Sequence, residues 1–240
     1  MGFPVKRALL VLAFLLASCG ARDPLPEFPR LMLWAWERPE DFHYLDPSRA
    51  GVAYLARTIS WRDGQVASQP RLQPLDVPPR TVLMTVIRLE SAGQPLPDAA
   101  AVVAEILKDA NDPRSRALEL DFDARVSERD WYRDLVRRVR SGLYPSKELT
   151  ITALASWCLG DTWIREMPVA DAVPMLFRMG ASQPHEVGDF RIPVCRASLG
   201  VSTDELPYAV PHGRRLFVFN PHAWTEQDYR GALELARRWR

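Results

Sequence analysis

The stretch Ala117-Leu118-Glu119-Leu120-Asp121-Phe122-Asp123-Ala124-Arg125, with Ser127-Glu128-Arg129-Asp130-Trp131-Tyr132 after it, reads as a strand that ends in two carboxylates and turns directly into a helix. Successive side chains of a strand alternate between faces, so Asp121 and Asp123 share one face while Leu120 and Phe122 share the other. Two neighbouring acids repel each other's ionised forms, which raises one pKa and suits an acid or a base. In the helix that follows, Trp131, Leu135 and Val139 lie on one side, with Arg137, Arg138 and Arg140 elsewhere.

Working outward, the same strand-then-crossover rhythm recurs. Strands are expected at Leu31 to Trp36, Val52 to Ile59 and Thr81 to Leu89, the last after a Pro78-Pro79 break. A helix from about Asp98 to Lys108 follows, with Asp98 as its N-cap and Val102, Val103, Ile106 and Leu107 on its apolar face. After the Leu118 to Asp123 strand come Leu149 to Ala155, Ala172 to Met179, Ala197 to Thr203 and Leu216 to Phe219. Pro174 disfavours a regular central strand in the sixth of these. A last helix, Thr225 to Trp239, opens on the capping box Thr225-Glu226-Gln227-Asp228. Eight strand candidates alternating with helices or loops predict an α/β fold, a small or irregular (β/α)8 barrel. An open doubly wound sheet is the alternative, because three crossovers look too short for full helices. No glycine-rich phosphate loop follows any strand, which argues against a nucleotide site.

The N-terminus reads as an address. Lys6 and Arg7 precede an apolar core, Ala8 to Ala17, that is too short to cross a bilayer as a helix. Leu16-Ala17-Ser18-Cys19 then resembles a bacterial lipobox, which implies cleavage before Cys19 and lipid attachment to it. Several acyl chains, at about 0.8 kcal/mol per buried methylene, anchor stably where one does not. Gly20 in the next position implies an outer-membrane address, on the periplasmic side, in a host that has one. The expected organisation is a signal peptide at 1–18, a Pro-rich spacer at 19–29 carrying Pro24, Pro26 and Pro29, and one domain at 30–240. The membrane is then a partner through the anchor only.

The formal charge of +1 supplies no basic field for nucleic acid. Beyond Cys19 only Cys158 and Cys195 remain, and in an oxidising compartment they are expected to pair as a disulfide, two buried thiols being the alternative. Such a bond would run the Gly180 to Val194 segment over the barrel mouth as a rim. Two cysteines and the scattered His43, His185, His212 and His222 offer no zinc site and no triad spacing, so neither metal nor cofactor is expected.

In a barrel, function sits at the C-terminal strand ends. The acids there are Asp121, Asp123 and Glu90; beside them come Trp36, Arg57, Arg88, Arg125, Trp157, Arg178 and Asn220. Flat aromatic rings pack on the apolar faces of pyranose rings, and acids and arginines bind hydroxyls, so a glycan is the expected partner. Hydrolysis needs two carboxyls, one to protonate the leaving oxygen and one as nucleophile or base. Asp123 with Glu90 is the candidate pair, with Asp121 one layer deeper as its tuner. The competing reading is a structural network, since Arg125 lies two residues beyond Asp123 and Arg88 two before Glu90. A further alternative is a protein-interaction or envelope-assembly lipoprotein, drawn from the anchor and the lack of an unmistakable motif.

The segments Leu31-Met32-Leu33-Trp34-Ala35-Trp36-Glu37-Arg38-Pro39-Glu40-Asp41, Leu120 to Arg125, Ile151 to Cys158 and Met175 to Gly180 resemble a bacterial family catalogued as domain of unknown function 3142. The resemblance runs from residue 31 to Val218-Phe219-Asn220-Pro221 and implies no particular activity. More distantly, Asp121-Phe122-Asp123 resembles the Asp-x-Asp-x-Glu strand of chitinase-type glycosidases, where the Glu protonates the glycosidic oxygen. Arg125 stands at that position, so the resemblance implies either that another acid takes over or that the protein binds glycan without cleaving it.

The address carries its own test. Replacing Cys19 with alanine should abolish acyl labelling and shift the protein from the membrane to the soluble fraction. Labelling and partition identical to the parent chain would refute the lipidation.

Overall fold

The computed structural model describes residues 23–179 and 189–239. Its strands are β1 (Leu31–Ala35), β2 (Glu40–Asp41), β3 (Ala50–Arg62), β4 (Gln65–Pro70), β5 (Leu75–Asp76), β6 (Leu83–Ser91), β7 (Ser115–Asp121), β8 (Glu148–Leu154), β9 (Asp171–Met175), β10 (Ser198–Ser202) and β11 (Arg215–Phe219). The helices are α1 (Ala99–Ala110), α2 (Arg129–Gly142), α3 (Ala155–Leu159) and α4 (Glu226–Arg238). Eight strands pair in parallel around a closed ring in the order β1-β11-β10-β9-β8-β7-β6-β3, and β3 returns to β1 with Leu33 opposite Val52. The chain is therefore an α/β barrel of the (β/α)8 type, and the open-sheet alternative falls because β1 has a partner on both sides.

Both faces of these strands are covered, which is why they read as nearly continuous apolar runs. On the outer face Leu33, Val52, Ile87, Leu118, Leu120, Ile151 and Val218 are buried in one large cluster with the helices. On the inner face Met32, Trp34, Ala53, Met84, Val86, Ala117, Val173 and Phe217 form a second, smaller core that fills the barrel. α1 presents Val102, Ile106 and Ala110 to the outer cluster, and its N-cap Asp98 accepts a hydrogen bond from the Ala100 N–H at 3.0 Å. In α4 the expected capping box forms, with the Asp228 N–H donating to Thr225 Oγ1 and the Thr225 N–H to Asp228 Oδ2.

The crossovers are uneven. Full helices follow β6, β7 and β11, while β8 is followed by the five-residue α3. Between β3 and β6 the chain makes a hairpin, because Asp63 and Gly64 both take positive φ, 51° and 75°, as a tight two-residue turn requires. That hairpin adds β4, antiparallel to β3, as a wall rising beside the mouth.

The floor of the barrel is closed by residues that the sequence reading assigned to a spacer. Leu25 is fully buried and Phe28 nearly so, both in the inner core. The buried Arg215 guanidinium donates to the carbonyls of Leu25 at 2.7 Å and Phe28 at 3.3 Å and pairs with Asp23 at 2.9 Å. The prolines here shape a plug, so the folded domain begins by Asp23 and not at residue 30. Residues 1–22, with Cys19 and the expected signal segment, lie outside the described residues.

Trp34 is the central filling of the barrel. Its ring packs on Phe217 with centroids 5.4 Å apart and leaves room for no side chain at residue 200. A Cβ on Gly200 would fall 2.8 Å from Trp34 Cη2. Gly200→Ala is therefore expected to destabilise the fold by about 1–3 kcal/mol, as overpacking does. A urea midpoint unchanged from the parent would refute this packing.

Candidate functional site

Above Trp34 the inner face changes character. A cavity of about 900 Å3 opens at the C-terminal strand ends. One side is aromatic: Trp36 meets Phe219 edge to face at 5.8 Å, and Phe219 stacks on Phe177 at 5.8 Å with an interplanar angle of 3°. The other side is acidic, formed by Asp121 and Asp123 at the end of β7 and Glu90 at the end of β6. A smaller hollow of about 380 Å3 adjoins it, lined by Ser91, Arg125 and Glu128, and the two share Arg88, Glu90, Asp121 and Asp123. The acids thus form the ridge between two hollows.

Arg88 organises that ridge. Its Nη1 donates to Asp121 Oδ2 at 2.9 Å and its Nε to Glu90 Oε1 at 2.7 Å, while its guanidinium lies 5.6 Å over the Trp36 ring. The second Asp121 oxygen accepts from the Thr152 hydroxyl at 2.8 Å. Burial pushes the Asp121 carboxyl up, and Arg88 and Thr152 hold it down against that push. Asp123 opens into the cavity and has no hydrogen-bond partner among the described residues. Desolvation raises its pKa first, the charge on Asp121 raises it further, and Arg88 opposes both. One carboxyl is clamped and the other is left ready to hold and release a proton.

A third acid stands beneath these two. Glu119, two residues before Asp121 on the same face, is fully buried and accepts a 2.7 Å bond from the Trp34 indole N–H through Oε1. Its Oε2 has no hydrogen-bond partner. Burial pushes its pKa up to about 8, with Asp121 and Asp171 adding to the rise. Near neutral pH it is a carboxylic acid at the bottom of a column Glu119, Asp121, Asp123. The alternation that paired the upper two should have found it. Thr152, Phe177 and Phe219 were also missed; an inward threonine or phenylalanine carries no distinctive sequence signal.

Of the residues expected at the mouth, Asp121, Asp123, Glu90, Trp36, Arg88 and Arg178 line the cavity and Arg125 lines the smaller hollow. Three lie elsewhere. Arg57 points outward, its Nε 2.6 Å from Asp109 and its Nη1 3.8 Å from Glu105, because a bulge between Leu55 and Arg57 reverses the alternation of β3. Thr58 takes the inward place instead. Trp157 is only 1 % exposed, since the chain becomes helical at Ala155 and turns it against Trp163, 4.7 Å away, while Ser156 faces the cavity. Asn220 is buried, accepting from Thr203 and donating to Asp228 of the α4 capping box.

No family model, curated protein or solved structure matches this chain. Cys158 and Cys195 are bonded, with Cα atoms 5.9 Å apart, and tie α3, which supplies Ser156 and Leu159 to the cavity wall, to the turn before β10. The greater part of the expected rim, residues 180–188, lies outside the described residues. Among the described residues no three His, Cys, Asp or Glu side chains converge to hold a metal ion.

Glu119 makes a pH prediction. Its folded pKa lies above the ordinary carboxyl value, so the folded state keeps a proton that the unfolded chain releases. The protein should therefore lose stability as pH rises from about 4.5 towards 8. Glu119→Gln keeps an acceptor for Trp34 without a titrating group and should flatten that decline in chemical denaturation curves. A variant with the same pH slope as the parent would exclude a buried acid here.

Proposed function

We propose that this chain is a glycan-active barrel, held at the cell envelope through Cys19, that cleaves a glycosidic bond lying across the acid ridge. The observation that carries the reading is the place of Asp123: an unengaged carboxyl with a raised pKa, beside a clamped Asp121, where two hollows meet. A proton donor belongs at such a junction, because it must reach the oxygen linking the sugar on one side to the group on the other. Trp36, Phe177 and Phe219 offer apolar platforms for pyranose faces.

The step is the breaking of the C–O bond to the leaving sugar, whose oxygen takes the Asp123 proton. Glu90 is the second carboxylate, helping a water reach the anomeric carbon and accepting its proton. Asp121 acts through charge, and Arg88 fixes it. In the chitinase-type pattern the donor is the last of three alternating acids. Here Arg125 stands at that last position, so the donor role falls to Asp123, the acid nearest the mouth. One observation favours a second reading: Glu90 is already bound by Arg88, and a barrel with that carboxylate committed would hold glycan without cleaving it.

Oligosaccharide binding and product analysis separate the two. Asp123→Asn should fold normally, keep binding and lose about 10²–10⁴-fold in turnover, the usual contribution of general acid catalysis. Parent activity should fall as pH rises through the elevated Asp123 pKa, since the proton is then lost before it can be delivered. An active Asp123→Asn protein would remove the assignment; a parent that binds but yields no product would establish the binding reading.

A further inference from the structure

We infer that the ligand of this cavity is an acidic glycan, whose carboxylate is held by Arg178. The inference rests on the glycan reading above and adds the chemical class of the sugar.

Arg178 is held in a costly conformation. Its φ of 55° lies in the left-handed region that long side chains rarely enter. Its backbone N–H donates to Glu205 Oε2 at 2.9 Å, which fixes the turn after β9. The result of that turn is to set the guanidinium over the Phe219 ring, 5.4 Å from its centroid, at the edge of the cavity. Non-glycine residues persist in such regions where the surroundings over-determine them, and these cluster at ligand clamps.

The charge pattern says what the clamp would hold. Arg88, the other arginine of the large cavity, is committed to Asp121 and Glu90. Arg178 forms no ion pair among the described residues, so of the two arginines that line the large cavity it is the one without a carboxylate on its guanidinium. β11, which carries Phe219, stands four strands from β7 in a ring of eight, so Arg178 and the Asp121–Asp123 ridge face each other across the mouth. Glu37 also lines the cavity next to Trp36, so the positive charge is local to Arg178, and a ligand with an anionic group at one end is oriented by that group meeting the guanidinium. A planar guanidinium above an aromatic ring can still offer its N–H fork, which takes a carboxylate through two parallel hydrogen bonds. A pyranose lying on Phe177 and Phe219 would bring its carboxylate to Arg178 and its linkage oxygen towards Asp123. A neutral sugar leaves the arginine unmatched, and a cationic one is repelled by it.

The test is calorimetric titration of the full chain with oligogalacturonides, alginate oligomers and hyaluronan fragments, each against its carboxyl-reduced counterpart. At least one acidic oligomer should bind ten-fold or more tightly than its reduced partner, with an affinity that falls as salt rises. Arg178→Gln should bring that pair within two-fold, and Arg178→Lys, which keeps the charge without the fork, should restore part of the gap. Arg178 is exposed, so both variants are expected to melt with the parent. Equal binding of every pair, or a preference that survives in Arg178→Gln, overturns the acidic class. Binding of the reduced oligomers alone overturns it while leaving the glycan reading intact, and failure of all oligomers to bind overturns both.

Discussion

The hydrogen bond from the Trp34 indole to Glu119 is the constraint on which the architecture turns. Eight strands closed in a ring enclose a volume that small side chains cannot fill, and one large ring in the middle solves the problem. That ring needs the bare backbone of Gly200 on one side and an acceptor for its N–H on the other. The acceptor is an acid buried where an ionised group would be expensive, so it carries a proton. Below the indole the barrel is a packed core sealed by Leu25 and Phe28; above it, the same strands no longer meet in the middle and a cavity results.

The division of labour inside the cavity follows from strand position. β6 and β7 end in acids and β11 ends in phenylalanine, so the ring's closure brings a polar ridge and an aromatic wall face to face. Arg88 makes the ridge tolerable by serving two carboxylates at once, which leaves Asp123 as the member without a fixed partner. The clamp and the free acid are two outcomes of one charge balance. Remove Arg88 and Asp121 and Glu90 would repel each other, with Asp123 no longer distinct from them.

Much of this was legible in the residues because parallel strands covered on both faces leave apolar runs of a recognisable length. All eight barrel strands fall where those runs fall, including the weak Ser198–Ser202 strand. What escaped was whatever breaks a period. The Asp63-Gly64 hairpin interrupts the strand-then-helix rhythm, and its signal lies in the turn residues and not in any apolar period. The bulge before Arg57 leaves no mark in composition, yet it decides that this arginine serves α1 and not the cavity. At Trp157 the period changes from two to 3.6 within one residue of a strand end, and the indole goes to the outer core. The N-terminal prolines resemble a linker in composition alone; the difference lies in Leu25, an apolar residue that a solvated spacer has no use for, and in the distant Arg215 that gathers its carbonyls.

That plug has a consequence for how the molecule would stand. Residues 23–30 seal the end of the barrel opposite the mouth, and Asp23 is four residues from Cys19. Four extended residues reach about 14 Å at most. A chain lipidated at Cys19 would thus be moored by its base on a short leash, with the cavity at the end of the barrel away from the lipid. Anchored so, the mouth would open to the aqueous space above the membrane and not to the bilayer surface.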